Sequence, residues 1–143
     1  MVTLPDQPPL QSYIHPMRSR YSETDRMGYV YYGRYLEFFE VARTEMVRSL
    51  GLPYKKMEEE GILLPVVYTE ISYKSPIHYD ELMQVKVKIY EAPAVRLKTW
   101  YEIFTDTSDR PHVLGRVVLA FMDADTRRPC RAPEAFLNHF SGK

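Results

Sequence analysis

The hydrophobic period of this chain changes near residue 61, and that change constrains its fold more than any other sequence feature. Between residues 32 and 50 the apolar side chains recur at steps of three, four and seven, which predicts one long amphipathic helix. The apolar positions of this helix are Tyr35, Phe38, Phe39, Ala42, Met46 and Leu50. Gly51 predicts the end of the helix, and Pro53 lies just beyond it. Such a helix measures roughly 28 Å, which is long for a domain of this size.

After residue 61 the period is two, which is typical of strands with one buried face. Four strands are predicted over residues 64–73, 82–90, 95–104 and 113–122. Another strand is predicted before the helix, around 13–21, and short helices are predicted at 54–60 and 133–140. The links between the later strands are short, which favours antiparallel pairing of consecutive strands. We therefore predict an α+β domain in which an antiparallel meander curls around one long helix.

The length of 143 residues suits a single domain, which we predict over residues 13–143. Residues 1–12 contain three prolines and no periodicity, so they are predicted to be a loose leader. No basic segment precedes an apolar run in that leader, and the apolar run at 117–122 is too short to cross a bilayer. The lone Cys130 cannot form an intrachain disulfide. We expect a cytoplasmic protein without membrane insertion.

The charge balance argues against a nucleic-acid partner, because 19 Lys and Arg cancel 19 Asp and Glu. Four scattered histidines are predicted to be surface or locally hydrogen-bonded residues, namely His15, His78, His112 and His139. They do not pair at the spacing of metal ligands, so we expect neither a metal nor another cofactor. Cys130 is predicted to be a structural thiol.

The segment from residue 20 to 43 carries the chemistry. Asp25 precedes the predicted helix start at Tyr32 by seven residues, and Gly28 between them allows the loop to fold back. The carboxylate can then lie beside unpaired backbone N–H groups of the helix start. A carbonyl bound there would be polarised while Asp25 faces its carbon, which is the pairing that acyl transfer needs. On spacing alone, a plain cap of the turn or of the helix is the more common role of an aspartate at this position.

A dense motif within this segment resembles a known family. It reads Tyr21-x-x-Thr24-Asp25-x-x-Gly28-x-Val30-Tyr31-x-x-x-Tyr35, continued by Glu40-x-Ala42-Arg43. It resembles the signature of hot-dog acyl-CoA thioesterases in the 4-hydroxybenzoyl-CoA thioesterase family, including its branch linked to the Tol-Pal system. The resemblance implies a hot-dog fold, with a curved antiparallel sheet wrapped around one long central helix. It also implies hydrolysis of a fatty or aromatic acyl-CoA without a cofactor, by a homodimer or homotetramer joined at sheet edges.

The resemblance also assigns roles to residues of the motif. It implies that Asp25 attacks the thioester carbonyl or activates water, and that the backbone N–H of Tyr32 binds the carbonyl oxygen. Many relatives of the Tol-Pal branch carry histidine where this chain has Tyr32, so a hydroxyl of Tyr21 or Tyr32 could substitute for the imidazole. Glu40 lies two turns into the helix, where another branch holds its catalytic carboxylate; the alternative is an ion pair with Arg43.

Other candidates concern substrate binding. Tyr31 and Tyr35, with Tyr32, Phe38 and Phe39, could line an acyl tunnel or pack against the sheet. Three cations are candidates for the phosphates of coenzyme A, in the same subunit or in a neighbour's site: Lys74, Arg96 and Lys98.

Two further functions stay open on the same fold. One is a non-catalytic module that binds acyl-CoA or acyl carrier protein, and the other is a dehydratase. A pure binder has no need of a carboxylate beside the carbonyl, so Asp25 favours the enzyme. The dehydratase is disfavoured because the first part of the helix has no histidine to abstract a proton.

Overall fold

The computed structural model describes residues 1–52 and 54–140. Its strands are β1 (Gln11–Arg18), β2 (Ile62–Leu63), β3 (Val66–Tyr73), β4 (Leu82–Ile89), β5 (Arg96–Thr105), β6 (Val113–Ala120) and β7 (Met122–Asp123). Its α-helices are α1 (Tyr35–Ser49), α2 (Tyr54–Glu59) and α3 (Glu134–Leu137). Short 3-10 turns cover Tyr21–Glu23 and Tyr32–Arg34. The predicted α+β class is therefore confirmed.

The main sheet has five strands in the order β1-β4-β5-β6-β3, and all neighbours are antiparallel. The predicted meander is confirmed for β4, β5 and β6. It is wrong for β3, which does not pair with β4 but crosses to the far edge and pairs with β6. The link at 75–80 therefore spans three strand spacings, roughly 14 Å, which is within reach of an extended segment of that length. A short link is consistent with adjacent strands but does not require them.

Backbone hydrogen bonds hold this crossing link across the end of the sheet. The N–H groups of Lys74 and Ser75 both donate to the carbonyl of His112, at 2.8 and 3.1 Å. Farther along, Ile77 accepts a bond from Val30, and Tyr79 donates to Gly28. The link is thus tied both to the start of β6 and to the loop that precedes the long helix.

The long helix agrees with its prediction apart from its first turn. The turn at Tyr32–Arg34 is a tighter 3-10 turn, and α1 proper begins at Tyr35. At the other end, the N–H of Leu52 bonds the carbonyl of Val47 past Gly51, which confirms the predicted stop. Pro53 lies outside the described residues.

One face of α1 lies on the inner side of the sheet, chiefly against β1 and β4. Its buried residues include those predicted from the periodicity, among them Phe38, Phe39, Ala42 and Met46. The ring of Phe39 stacks on Tyr101 of β5 with centroids 4.3 Å apart. The alternation predicted for β5 is also confirmed, since Leu97, Thr99, Tyr101 and Ile103 are all buried.

The inner side of β3 is left uncovered by this arrangement. A bulge between Val66 and Tyr68 places Val66 opposite Leu119 and Thr69 opposite Val117, so both face inward. Yet Val66 is 51% exposed and Thr69 is exposed too. A groove therefore runs between α1 and β3.

The division into a leader over 1–12 and a domain over 13–143 stays a prediction. In the structure β1 begins at Gln11, and Val2 is buried with its N–H bonded to the Ser72 hydroxyl at 2.8 Å. Residues 141–143 lie outside the described part. Over the ranges 1–52 and 54–140, no helix combines the length and apolar character that a membrane span requires.

Gly115 of β6 provides a test of how α1 is seated. A Cβ at this position would overlap the ring of Phe39. We expect Gly115→Ala to lower the free energy of unfolding by about 1–3 kcal/mol through overpacking, measured by urea denaturation.

The control is the double variant Gly115→Ala/Phe39→Leu, in which the smaller side chain makes room for the methyl group. The effects of the two changes should then be less than additive. Wild-type stability of Gly115→Ala would contradict this packing.

Candidate active site

Asp25 lies in a tight loop between two short backbone contacts. Thr24 and Val30 form an antiparallel bridge that closes the loop. Inside it, the Asp25 N–H donates to the Tyr29 carbonyl at 2.8 Å, and the Gly28 N–H donates to the Asp25 carbonyl at 3.0 Å. Gly28 has φ +80°, a conformation that favours glycine. The prediction that Gly28 lets this loop fold back is confirmed.

One carboxylate oxygen of Asp25 is used by the loop itself. Its Oδ1 accepts the N–H of Met27 at 2.8 Å and that of Tyr29 at 3.4 Å. Oδ2 has no hydrogen-bond partner within the described residues. The alternative hypothesis, that Asp25 caps the turn, is thus correct for Oδ1, while Oδ2 is left without a hydrogen bond to the loop. The cap holds the half-buried carboxylate in one orientation.

A second carboxylate, Glu23, supports the loop and was not selected from the sequence. Its side chain is 2% exposed, accepts the Arg20 N–H at 2.7 Å and pairs with the Arg20 guanidinium at 3.0 Å. Its backbone carbonyl accepts the N–H of Tyr31 at 2.8 Å. The spacing of Arg20 and Glu23, three residues apart at a helical turn, is the signal that could have identified it.

The helix start supplies free donors, as the sequence predicts. The Tyr31 N–H bonds Glu23, and the Arg34 N–H bonds the Tyr31 carbonyl at 2.9 Å. Between them, the backbone N–H of Tyr32 finds no acceptor among the residues that the structure describes. Such a donor at a helix start attracts a partially negative oxygen.

Asp25 and Tyr32 line the same groove, which has a volume of about 340 Å³. Its walls include Tyr35, Tyr73 and the strand link from Lys74 to Pro76. The Tyr73 hydroxyl donates to the Tyr32 carbonyl at 3.3 Å, and the Tyr73 ring lies 5.8 Å from that of Tyr35. Burial raises the pKa of Tyr35 to about 12, so this hydroxyl stays protonated at neutral pH. Sequence reasoning missed Tyr73, because a lone tyrosine at a strand end carries no signal.

A carboxylate and a backbone N–H donor on two residues that line one groove can act together on a carbonyl group. The N–H can hydrogen-bond the carbonyl oxygen, and the carboxylate can approach the carbon or a water molecule beside it. The aromatic side chains around them provide an apolar wall.

The structure separates the remaining candidates. Tyr31 is exposed and is not part of the groove lining, although its ring lies 4.8 Å from that of Tyr32. Tyr21 is 78% exposed and packs edge-on against Tyr79, outside the groove lining. Glu40 lies farther along α1, beyond that lining.

The predicted ion pair between Glu40 and Arg43 is wrong. The described part of the chain has no contact within 4.0 Å between their charged atoms. Instead Arg43 turns into the core and donates to the hydroxyls of Tyr54 and Tyr101, at 3.0 and 2.9 Å. The sequence spacing allows the helical pair, but packing against β5 selects the other rotamer.

The three candidate cations are not brought together within one subunit. Lys74 lines the groove with Asp25. Arg96 begins β5 at the opposite end of the sheet, and Lys98 on the same strand pairs with Glu91 at 2.9 Å.

The structure also bears on the predictions for His112 and Cys130. His112 is buried, and its ring nitrogens lie within hydrogen-bond distance of the hydroxyls of Ser75 and Thr105, which confirms a locally bonded histidine. Burial raises the pKa of the Cys130 thiol, which disfavours the reactive thiolate. Within the described ranges, no three His, Cys, Asp or Glu side chains form a group that could hold a metal ion.

Residues 19–140 match the thioesterase-like superfamily over most of the chain. The chain belongs to this superfamily. It is 41% identical over 90 residues to the putative acyl-CoA thioesterase YneP of Bacillus subtilis. That match covers 63% of this chain and 65% of YneP, so the chain spans just under two thirds of that relative.

Solved structures place this member of the superfamily in the hot-dog fold. A DHNA-CoA thioesterase from Staphylococcus aureus is 36% identical to this chain and superposes with a TM-score of 0.79. The match covers 84% of this chain and 80% of the staphylococcal chain. Slr0204, a 1,4-dihydroxy-2-naphthoyl-CoA thioesterase from Synechocystis, has a TM-score of 0.84 at 21% identity. The match covers 91% of this chain and 96% of Slr0204. The latter likeness concerns the fold alone. The expected hot-dog architecture is confirmed.

Gly28 offers a test of the Asp25 loop. A Cβ there would meet nothing within 4 Å, so any effect of a substitution comes from the positive φ alone. We expect Gly28→Ala to lower the free energy of unfolding by about 1–2 kcal/mol in urea denaturation.

Gly28→Asn is the matched control, because asparagine tolerates this left-handed conformation better and should cost less. Equal stability of the two variants would show that the loop does not require the conformation described.

Proposed function

We propose that this protein hydrolyses the thioester of an acyl-CoA, releasing the free acid and coenzyme A. The observation that carries the proposal is one groove lined both by Asp25, whose Oδ2 has no partner, and by Tyr32, whose N–H finds no acceptor among the described residues. Acyl transfer needs both groups, one for the carbonyl carbon and one for the oxygen.

The chemistry follows from these two groups. The thioester oxygen accepts a hydrogen bond from the Tyr32 N–H, which stabilises the negative charge that develops there. Asp25 then either attacks the carbon, displacing the coenzyme A thiolate and forming an anhydride that water cleaves, or takes a proton from the attacking water. In both routes the loop bonds to Oδ1 leave Oδ2 to react.

The similar proteins support the reaction class and leave the acyl group open. YneP is named a putative acyl-CoA thioesterase, and the staphylococcal structure is of a DHNA-CoA thioesterase. We propose a fatty or aromatic acyl-CoA, as the resemblance of the motif over residues 21–43 implies. Membership of the branch linked to the Tol-Pal system rests on the motif over residues 21–43, and tyrosine in place of histidine at position 32 departs from many of its members.

We also propose that the phosphates of coenzyme A bind beside Lys74. This lysine lines the Asp25 groove and also a neighbouring hollow of about 560 Å³, which contains Ser75, Ser108 and Arg110. Two cations and two hydroxyls suit phosphate oxygens. Arg96 and Lys98 contribute in this proposal only from a neighbouring subunit.

The assembly is proposed to be a homodimer that pairs its β3 edges, with a homotetramer as its doubled form. β3 is an edge strand with exposed apolar side chains, among them Val67 and Tyr68. The other edge, β1, contains Pro16 and ends at exposed Arg18, features that discourage edge pairing. A cytoplasmic location is part of the proposal, consistent with the single free Cys130.

Asp25→Asn is the direct test of the proposed activity. It keeps the shape of the side chain and removes the charge, so kcat on the best acyl-CoA should fall by at least ~10²-fold. An acyl-CoA screen over short, long and aryl chains identifies that substrate first.

Asp125→Asn, at an exposed carboxylate, is the control and should keep wild-type activity. If Asp25→Asn keeps more than a tenth of wild-type kcat, Asp25 is not the catalytic group. If wild type binds acyl-CoA but hydrolyses none, the non-catalytic binding module is correct.

The assembly has its own test by light scattering. The wild-type protein should have a mass at least twice the single-chain value of 16.9 kDa. The Val67→Lys variant should have a lower mass, closer to 16.9 kDa, because a charge on an edge strand opposes pairing.

Ile14→Lys places the same charge on β1 at similar exposure, 50% against 48%, and should leave the mass unchanged. A wild-type mass near 16.9 kDa would rule the dimer out.

A further inference from the structure

His112 is a buried imidazole that lies between two hydroxyl groups at the end of the sheet. The residue is 4% exposed. Its Nδ1 lies 2.8 Å from the Ser75 hydroxyl, and its Nε2 lies 2.7 Å from the Thr105 hydroxyl. A neutral imidazole carries one proton, so one of these nitrogens donates and the other accepts. The nitrogen that donates decides where the proton of the Ser75 hydroxyl points.

The hydroxyl chain beyond Nε2 leads to a carboxylate. The Thr105 hydroxyl lies 2.7 Å from the Thr107 hydroxyl, which donates to Oε2 of Glu81 at 3.4 Å. The other oxygen of Glu81 accepts the His78 N–H at 2.7 Å. Burial works against ionisation of this carboxyl, but the hydrogen bonds that it accepts outweigh burial and lower its pKa. An ionised carboxylate can only accept, so it fixes the direction of the chain.

The protons along this chain therefore all point towards Glu81. Thr107 donates to the carboxylate, so the Thr105 hydroxyl must donate to Thr107, and the Thr105 oxygen must accept the proton on Nε2 of His112. Nδ1 is then unprotonated and accepts the Ser75 proton. A hydroxyl has one proton and two lone pairs, so Ser75 has only lone pairs left for another partner.

Backbone contacts hold Ser75 in place against His112. The N–H groups of Lys74 and Ser75 both donate to the His112 carbonyl, and the His112 N–H donates to the Ile103 carbonyl at 2.8 Å. Pro76 follows directly and restricts the backbone of Ser75 to extended conformations. The serine oxygen is thus held in one position and one orientation.

Ser75 borders both hollows of the proposed substrate site. It lines the groove of Asp25 and Tyr32, and it also lines the neighbouring hollow of Lys74 and Arg110. Lys74 belongs to both linings as well, so the two hollows are contiguous at these residues. In the proposed function the first hollow binds the thioester and the second binds phosphates. Ser75 therefore lies where the part of acyl-CoA that joins them passes.

The pantetheine arm joins the thioester to the phosphates, and it carries the hydrogen-bond donors of that stretch, namely amide N–H groups and a hydroxyl. The thioester and the ionised phosphates only accept. The lone pairs of Ser75 suit an amide N–H and do not suit a phosphate oxygen. This narrows the phosphate proposal to Lys74, Arg110 and Ser108, because the Ser108 oxygen accepts the Arg110 N–H at 3.0 Å and its own proton stays available.

We propose that Ser75 determines specificity by accepting a hydrogen bond from an amide N–H of the pantetheine arm, and that His112 is the positioning residue that orients its hydroxyl. The inference rests on the proposed function, since it names the part of the substrate that is bound beside Asp25. Ser75 thereby separates thioesters of coenzyme A from thioesters of simple alkyl thiols.

The direction of the hydroxyl chain is tested without substrate. In protein with nitrogen-15-labelled histidine at mildly alkaline pH, the NMR signals of His112 should show an unprotonated Nδ1 and a protonated Nε2. A structural role alone would not require this tautomer. A proton on Nδ1 would overturn the proposal, because Ser75 would then accept from His112 and point its own proton outwards.

The role of Ser75 is tested with acyl-CoA and with analogues in which one or the other pantetheine amide N–H is replaced by an ester oxygen. Wild type should hydrolyse one analogue at least about tenfold less efficiently in kcat/KM, because a site built to bond an N–H rejects the analogue that lacks it. In Ser75→Ala this ratio should fall to about one, whereas Ser75→Thr keeps the hydroxyl and should keep the ratio. Ser12→Ala removes an exposed serine of β1 and should also keep it.

Equal kcat/KM values for acyl-CoA and both analogues in wild type would overturn the proposal, as would an unchanged ratio in Ser75→Ala. If no thioester is hydrolysed, the proposed function fails, and calorimetry with the matching unreactive thioethers still decides the role of Ser75. Wild type should bind the coenzyme A thioether at least about tenfold more tightly than one of its ester analogues. Equal affinities would overturn the proposal.

Discussion

The contact of α1 with the inner face of the sheet is the interaction on which the rest of the structure depends. Phe39 can stack on Tyr101 because Gly115, on the next strand, has no side chain to occupy the same space. The helix lies chiefly against β1 and β4 and reaches β5 and β6 through this contact. The other side, along β3, is therefore left as a groove.

Two polar groups near α1 are held in place by different means. At the helix start, backbone hydrogen bonds of the 24–30 loop and the ion pair of exposed Arg20 with buried Glu23 hold Asp25 in the groove that Tyr32 also lines. Near the middle of the helix, side-chain hydrogen bonds to Tyr54 and Tyr101 hold Arg43.

Much of the fold followed from periodicity. The long helix, the strand boundaries to within a few residues and the inward face of β5 were all correct, because burial on one face imposes a repeat that is visible in sequence. The place of β3 was wrong. The 75–80 link does not determine whether β3 lies beside β4 or at the far edge of the sheet, because an extended link of that length can reach both positions.

The sequence by itself determined the helix, the strands and the loop that contains Asp25 and Gly28, because these depend on local conformation and on which side chains avoid water. Only the tertiary structure decided the neighbours of each charged group. Arg43 could pair with Glu40 one turn away or reach Tyr54 and Tyr101 across the core, and packing against β5 chose the second. Tyr73 likewise reaches Tyr32 only because β3 crosses to the sheet edge beside the helix start. Local patterns specify which face of a segment is buried, whereas contacts between distant segments depend on how those faces are assembled.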